Sequence, residues 1–140
     1  MKPVVIGVAV ALAAAAAGWI MLSPGHDHAE ARWDAAARGP VVDVAALTAD
    51  AQRGRLAFNA RCADCHGADA LGGAGGPPLI HKIYEPSHHG DGAFYNAVRN
   101  GVAQHHWDFG HMPPQRGVTQ AEVALIVTYV RQAQRQNGIN

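Results

Sequence analysis

The sequence Cys62-Ala63-Asp64-Cys65-His66 places two thiols and an imidazole within about one helical turn. Residues three apart on such a turn lie on the same face, so the two thiols can reach the two vinyl groups of one haem. The histidine after the second thiol is then held under the iron, where its imidazole supplies the proximal ligand. Cys-x-x-Cys-His is the haem attachment signature. We therefore predict one covalent haem c, with Cys62 and Cys65 as its thioethers and His66 as an iron ligand.

Other interpretations of the two cysteines fit the sequence less well. A redox-active dithiol of this spacing occurs beside a βαβ pattern, which the sequence lacks. A cysteine zinc site needs a second pair, and the chain has only two cysteines. A plain disulfide of an exported protein would make the position of His66 a coincidence.

Length, composition and charge limit the remaining possibilities. A chain of 140 residues is the size of one folded domain. Alanine is abundant and aromatic residues make up 6%, which favours helices over strands. Lys and Arg together number 11, as do Asp and Glu, and this balance argues against nucleic acid as a partner.

The first 22 residues contain the uncharged run Pro3–Leu22, preceded by Lys2. As a helix this run would be about 30 Å long, enough to cross the hydrocarbon core of a membrane. We predict a membrane anchor over residues 1–22. The alternative is a cleaved signal peptide and a soluble periplasmic protein, but the A-x-A-like site Ala29-Glu30-Ala31 lies far beyond the run. In either case the chain after Leu22 is exported to the periplasmic side.

Breaker residues divide the rest of the chain into a linker and a domain. Residues 23–47 contain Pro and Gly breaks and show no persistent period, so we predict a linker there. The domain, residues 48–140, opens at Thr48, which is predicted to cap a helix that runs to about Cys65. The glycine-rich stretch from Gly67 to Pro78 is predicted to form a loop.

Two further helices are predicted in the second half of the domain. Asp91 is expected to cap a short helix that Asn100-Gly101 would end. Thr119-Gln120-Ala121-Glu122 is a capping box, and apolar residues with helical spacing follow it at Val123, Ile126, Val127 and Val130. Asn137-Gly138 is a stop signal. Because no segment alternates with period two, the domain is predicted to be all-α.

These features resemble the class I cytochrome c family over residues 48–138. Gly54 and Phe58 match the small and aromatic positions of that family's first helix, and Ile126 and Tyr129 match the positions of its last helix that pack against them. The resemblance implies a cytochrome c fold of roughly three to five helices around one covalent haem, preceded by the N-terminal transmembrane helix. It also implies that Gly54 lets the two helices cross closely.

The stretch Gly76-Pro77-Pro78-Leu79 is similar to the family's Gly-Pro-x-Leu motif. The resemblance implies that the Pro77 carbonyl accepts the Nδ1 proton of His66, which would orient the ring and make it a more basic ligand. It also implies that Leu79 packs against the haem. Without the family, the same residues would be interpreted as a rigid turn.

The stretch His111-Met112-Pro113-Pro114 is similar to the family's sixth-ligand loop, which implies that Met112 is the second axial ligand of the iron. The competing interpretation is a methionine of the hydrophobic core. The other methionines, Met1 and Met21, lie outside the predicted domain, so Met112 is the only thioether available there.

Six histidines have no role in the family pattern: His81, His88, His89, His105, His106 and His111. They are interpreted first as a solvated surface or as hydrogen-bond donors to the haem propionates, a role shared with Arg99, Trp107 or Tyr84. A second metal site for copper or zinc is another interpretation, because imidazole suits both metals. Rival ligation of the haem iron by His111 or His106 is a further one.

The sequence therefore predicts a single-electron carrier and not an enzyme, with His66 and Met112 filling both axial positions of the iron. The expected partners are membrane redox complexes, with a quinol-oxidising complex or dehydrogenase as donor and a terminal oxidase or reductase as acceptor. Lys82 is the only lysine beyond the anchor, so electrostatic steering should be weak. The alternative is a haem-based gas sensor or a small haem enzyme with a displaceable sixth ligand.

Overall fold

The computed structural model describes residues 39–140, of which residues 40–140 form one compact unit. The regular structure of this part of the chain is helical: α1 (Ala49–Arg61), α2 (Ala63–His66), α3 (Asp91–Asn100), α4 (Gln120–Gln136), and 3₁₀ turns at Ala68–Ala70 and Lys82–Tyr84. Within the same residues no strand forms, and the only β-type pairings are isolated bridges at Gly73–Gly76 and Val102–Met112. The prediction of an all-α domain is confirmed.

None of the helices within residues 39–140 is long and apolar enough to span a membrane. The predicted span Pro3–Leu22 lies outside the described residues, as does most of the predicted linker.

The last eight residues of the predicted linker, 40–47, belong to the folded unit. Leu47 lies in the hydrophobic core with 4% of its surface exposed. Further contacts come from backbone N–H groups that donate to amide side chains of the last helix and its cap, as in Asp43 N–H to Gln136 Oε1 at 3.1 Å and Val41 N–H to Asn137 Oδ1 at 3.0 Å. Such contacts join residues far apart in sequence and leave no periodic pattern.

Most of the predicted helix ends are where the local sequence signals place them. The Thr48 hydroxyl accepts the Ala51 N–H at the start of α1, and Thr119 and Glu122 form the predicted capping box at the start of α4. Gly101 ends α3 with a φ of 76°, a left-handed conformation that glycine adopts without strain.

Two helix ends differ from the prediction. The helix that begins at Ala49 ends at Arg61, with Cys62 as its C-cap, and the haem motif forms the separate turn α2. Gly90 and not Asp91 is the N-cap of α3; Asp91 is the first helical residue, and its carboxylate accepts the Arg131 Nε–H at 2.7 Å. An ion pair with a distant helix therefore takes the side chain that the local sequence assigns to capping.

The core is built on the crossing of α1 and α4 at Gly54. A β-carbon on Gly54 would lie 1.9 Å from the Leu125 carbonyl oxygen and 2.9 Å from the Tyr129 Cβ. One turn further along α1, the buried Phe58 ring packs against Tyr129, with the ring centroids 6.0 Å apart. The resemblance assigns this close crossing to Gly54, and the structure confirms it.

Two polar residues of α4, Arg131 and Gln134, are buried together with the apolar stripe. Gln134 donates to the carbonyls of Leu79 and Tyr84, each at 2.9 Å, and accepts from the Arg131 guanidinium at 2.7 Å. Both residues occupy positions on the apolar face, four residues after Val127 and Val130. Because both side chains are polar, the apolar periodicity of that face does not predict their burial.

Replacing Gly54 with Ala should destabilise the domain by about 2–3 kcal/mol, because the added methyl group pushes the two helices apart. Urea unfolding followed by circular dichroism measures the change. The matched control is Gly92→Ala on α3, where a β-carbon meets nothing within 4 Å. This control should raise stability by about 0.5–1 kcal/mol, since alanine favours a helix. Equal midpoints for Gly54→Ala and the unmodified protein would contradict the close crossing.

Candidate functional site

The Cys-x-x-Cys-His motif lies on the short turn that follows α1. The Cys62 N–H donates to the Phe58 carbonyl at 2.7 Å, and the Cys62 carbonyl accepts from the N–H groups of Cys65 and His66 at 3.2 and 2.9 Å. These bonds tie the motif to the crossing of α1 and α4. Both cysteines are free thiols, Cys65 exposed and Cys62 half-buried against the core.

The chemistry of Cys62 differs from that of a redox-active dithiol. Burial and, to a smaller extent, the neighbouring Cys65 raise the pKa of the Cys62 thiol to about 11, against a lowering effect of Arg61. Reactive dithiols carry a thiol of lowered pKa, because the thiolate is the attacking species. The raised pKa of Cys62 therefore does not fit a redox-active dithiol.

The imidazole of His66 is held in one orientation by the carbonyl of Pro77, which lies 2.9 Å from Nδ1. A carbonyl oxygen can only accept a hydrogen bond, so Nδ1 carries the proton and Nε2 presents its lone pair. The hydrogen bond predicted from the Gly-Pro-x-Leu motif is therefore present. It prepares Nε2 to bind a metal.

The glycine-rich loop packs directly on the backbone of the motif. A β-carbon on Gly73 would lie 2.7 Å from the Cys65 carbonyl oxygen, and one on Gly76 would lie 3.2 Å from the His66 Nδ1. Leu79 follows the loop; its N–H donates to the Ala70 carbonyl at 2.8 Å, and its side chain is half-buried against the core. The loop therefore needs small residues where it covers the motif.

Met112 lies on a backbone that is fixed to the end of α3. Its N–H and carbonyl pair with those of Val102 at 3.0 and 2.9 Å, and the Gln115 N–H donates to the Val98 carbonyl at 2.7 Å. Gly101 makes this approach possible, because a β-carbon there would lie 2.5 Å from the Met112 carbonyl oxygen. The side chain of Met112 is half-buried.

The buried Nε1–H of Trp107 makes no hydrogen bond of good geometry within the described residues, although it lies close enough to the Tyr84 hydroxyl to affect the pKa of that group. Burial raises the pKa of the nearby Tyr84 hydroxyl, an effect that Trp107 partly opposes. A buried donor without a partner is costly, so an acceptor from a bound group is expected here. A haem propionate has the right chemistry, and the thiols, imidazole and thioether described above match the usual donors to haem c.

Four of the six additional histidines form a cluster in the structure, and the other two have separate backbone partners. His88, His89 and His106 have ring nitrogens within 4.8 Å of one another, and the ring of His105 lies 4.3 Å from that of His106 between centroids. His81 and His111 lie apart from them; each accepts a backbone N–H at Nδ1, from Ile83 and Gln104 respectively. Partial desolvation by the neighbouring groups lowers the pKa of His106, as does the positive charge of His105, His89 and His88. The spacing of these residues in the sequence does not predict the grouping.

Comparison with known protein families matches residues 51–134, more than half of the chain, to the family described as Cytochrome c. Searches of curated proteins and of solved structures give no match. The matched residues contain the thiols, the imidazole and the thioether whose geometry is described above. Proteins of this family hold haem c covalently through its thioether bonds, and its iron exchanges electrons. This chain belongs to the cytochrome c family, and it is an electron-transfer protein that binds haem c.

Proposed function

We propose that the chain is a single-electron carrier, with its haem attached through Cys62 and Cys65 and its iron bound by His66 and Met112. The observation that carries the proposal is the hydrogen bond from the His66 Nδ1–H to the Pro77 carbonyl at 2.9 Å. A ring fixed in this way presents Nε2 as a ligand before any metal binds.

The segments that carry His66 and Met112 are each held in place by separate contacts. Pro77 orients the imidazole, and the paired hydrogen bonds with Val102 hold the backbone of Met112. The haem iron supplies the exchange of one electron between its ferrous and ferric states. In this proposal the Leu79 side chain packs against the haem, and the Trp107 Nε1–H donates to a propionate. Rigid ligands favour electron transfer, because little has to move when the charge changes.

We further propose that residues 1–22 anchor this domain to a membrane, with the domain on the periplasmic side. The uncharged run Pro3–Leu22 supports the anchor, and a tether would raise the effective concentration of partners in the same membrane. The proposed donor is a quinol-oxidising complex or dehydrogenase, and the proposed acceptor is a terminal oxidase or reductase. With Lys82 as its only lysine, the domain has little charge to steer a soluble encounter.

Covalent attachment predicts that acid–acetone extraction leaves the haem on the denatured protein. Replacing Cys62 and Cys65 together with Ser should make the haem extractable, since no thioether bond can then form. The Cys62→Ser single variant is the control, because its remaining thioether at Cys65 should keep the haem on the chain. Free extraction of haem from the unmodified protein would contradict the attachment.

Ligation by Met112 predicts a weak far-red absorption band in the ferric protein, which arises from charge transfer between sulfur and iron. Met112→Ala should remove the band, lower the reduction potential and let carbon monoxide bind the ferrous form readily. Absorption spectra of both oxidation states and a redox titration measure these changes.

The nearby histidines could replace the lost sulfur in that variant. Adding His111→Ala and His106→Ala to Met112→Ala controls for such replacement. If the unmodified ferric protein lacks the band and the ferrous form binds carbon monoxide at once, the sixth position is not held by sulfur. A gas sensor or small haem enzyme would then replace the carrier as the function.

The anchor predicts that protein extracted from native membranes retains residues 1–22, allowing for loss of Met1. Intact-mass spectrometry distinguishes this chain from one cleaved after the A-x-A-like site at Ala31. A mature species in the soluble fraction that begins near Arg32 would show that the N-terminal segment is a signal peptide.

A further inference from the structure

We propose that His88, His89 and His106 form a second metal site, separate from the haem iron, which binds one divalent late transition metal ion and prefers Cu²⁺ to Zn²⁺. The proposal does not depend on the electron-carrier function, because it rests on the described imidazoles alone. His88 and His89 precede α3, and His106 lies on the loop after it. A metal ion bound there would link the two segments on either side of the helix.

The spacing of the imidazole nitrogens suits a single ion. The ligand nitrogens of the three residues all lie within 4.8 Å of one another, and the Nε2 atoms of His88 and His106 are 3.2 Å apart. Two imidazoles that bind one tetrahedral zinc ion at about 2.0–2.1 Å have nitrogens about 3.3–3.4 Å apart. The His88–His106 pair is therefore close to the separation that a shared metal ion requires.

Hydrogen bonds to the backbone orient two of the clustered rings. The His89 Nδ1 lies 2.7 Å from the Ile83 carbonyl, and the His105 Nδ1 lies 2.8 Å from the Ala103 carbonyl. Since a carbonyl only accepts, each Nδ1 carries the proton and each Nε2 presents a lone pair. Metal-binding histidines usually have such a partner on the second nitrogen. His105, beside His106, is placed to support the site as a neighbouring imidazole.

The buried Arg131 holds the segment that carries His88 and His89. Its guanidinium donates to the carbonyls of His89 and Tyr84, and its Nε–H donates to the Asp91 carboxylate at 2.7 Å. The Arg131 side chain is 8% exposed and is therefore shielded from water, whereas the Asp91 carboxylate is 63% exposed. The backbone on both sides of His88 is therefore fixed without a metal, which lowers the cost of ordering the ligands.

The donor set selects the class of metal. The cluster consists of imidazoles alone, whereas Ca²⁺ and Mg²⁺ require oxygen ligands. Imidazole suits zinc, copper and nickel, and divalent affinities rise towards Cu²⁺ and fall again at Zn²⁺. His88 and His106 are exposed, so an ion can enter from solvent and keep water as a further ligand.

Calorimetric titration of the full-length haem protein, prepared without a histidine tag, tests the site. The protein is kept ferric so that Cu²⁺ cannot accept an electron from the iron. We expect one Zn²⁺ or one Cu²⁺ per chain, tighter binding of Cu²⁺, and no binding of Mg²⁺. The double variant His88→Ala/His106→Ala should weaken Zn²⁺ binding at least about 100-fold, since it removes two of three ligands.

The matched control is His26→Ala/His28→Ala, which removes two histidines outside the described residues and should leave the tight binding unchanged. Electron paramagnetic resonance of the Cu²⁺ protein should show coupling to imidazole nitrogens that His88→Ala/His106→Ala abolishes. An unchanged haem absorption spectrum confirms that the variants fold. Millimolar affinity in the unmodified protein would overturn the proposal. Tight binding that survives His88→Ala/His106→Ala, or is lost in His26→Ala/His28→Ala, would place the metal elsewhere and also overturn it.

Discussion

At Gly54, where α1 and α4 cross, a β-carbon has no room between the two backbones. This contact sets the distance between the helices and allows Phe58 to pack against Tyr129. The carbonyl of Phe58 accepts the Cys62 N–H at 2.7 Å, and the Tyr129 hydroxyl donates to the Asp69 carbonyl at 2.8 Å. Phe58 and Tyr129 thus hold the chain at the first residue of the haem motif and just after the motif. Correct placement of the motif depends on the separation of these two helices.

The same helix, α4, also holds residues 79–91 in place through polar contacts. Arg131 and Gln134 are buried, and their donors are satisfied by carbonyls of residues 79–89 and by Asp91. Burying a charged group without such partners would be strongly unfavourable, so these contacts also specify which loop packs on the helix. Within one turn of α4 lie Tyr129, which supports the haem motif, and Arg131, which supports the segment of the histidine cluster.

Local signals made much of the fold predictable. The Thr48 cap, the capping box at Thr119 and the left-handed Gly101 each depend on residues within a few positions, and each is present in the structure. Asp91 shows where this approach fails, because local rules predict a cap whereas its carboxylate binds Arg131, forty residues away.

The candidate site likewise contains one contact that the sequence predicts and one that it does not. The resemblance to a family supplied the contact between His66 and Pro77, eleven residues apart, and the structure contains it. Nothing in the spacing of the histidines indicated that His88 and His106, eighteen residues apart, would bring their nitrogens within 3.2 Å. Arg131 holds the segment that carries His88 through the carbonyls of Tyr84 and His89. The pairing of Met112 with Val102, at the end of α3, holds the loop that carries His106. Contacts of this kind follow from the packed fold and have no periodic or motif-like trace in sequence.

The loop between α3 and α4 contains both Met112 and His106. Backbone hydrogen bonds hold the two residues in separate parts of this loop. The paired hydrogen bonds between Val102 and Met112 bring the two ends of residues 103–111 together, so that these residues form a closed loop. Trp107 and two of the clustered histidines, His105 and His106, lie on residues 103–111, whereas Met112 directly follows these residues and pairs with Val102 at the end of α3. With the proposed ligands, one short loop would present the Met112 thioether to the haem iron and the His106 imidazole to a second metal ion.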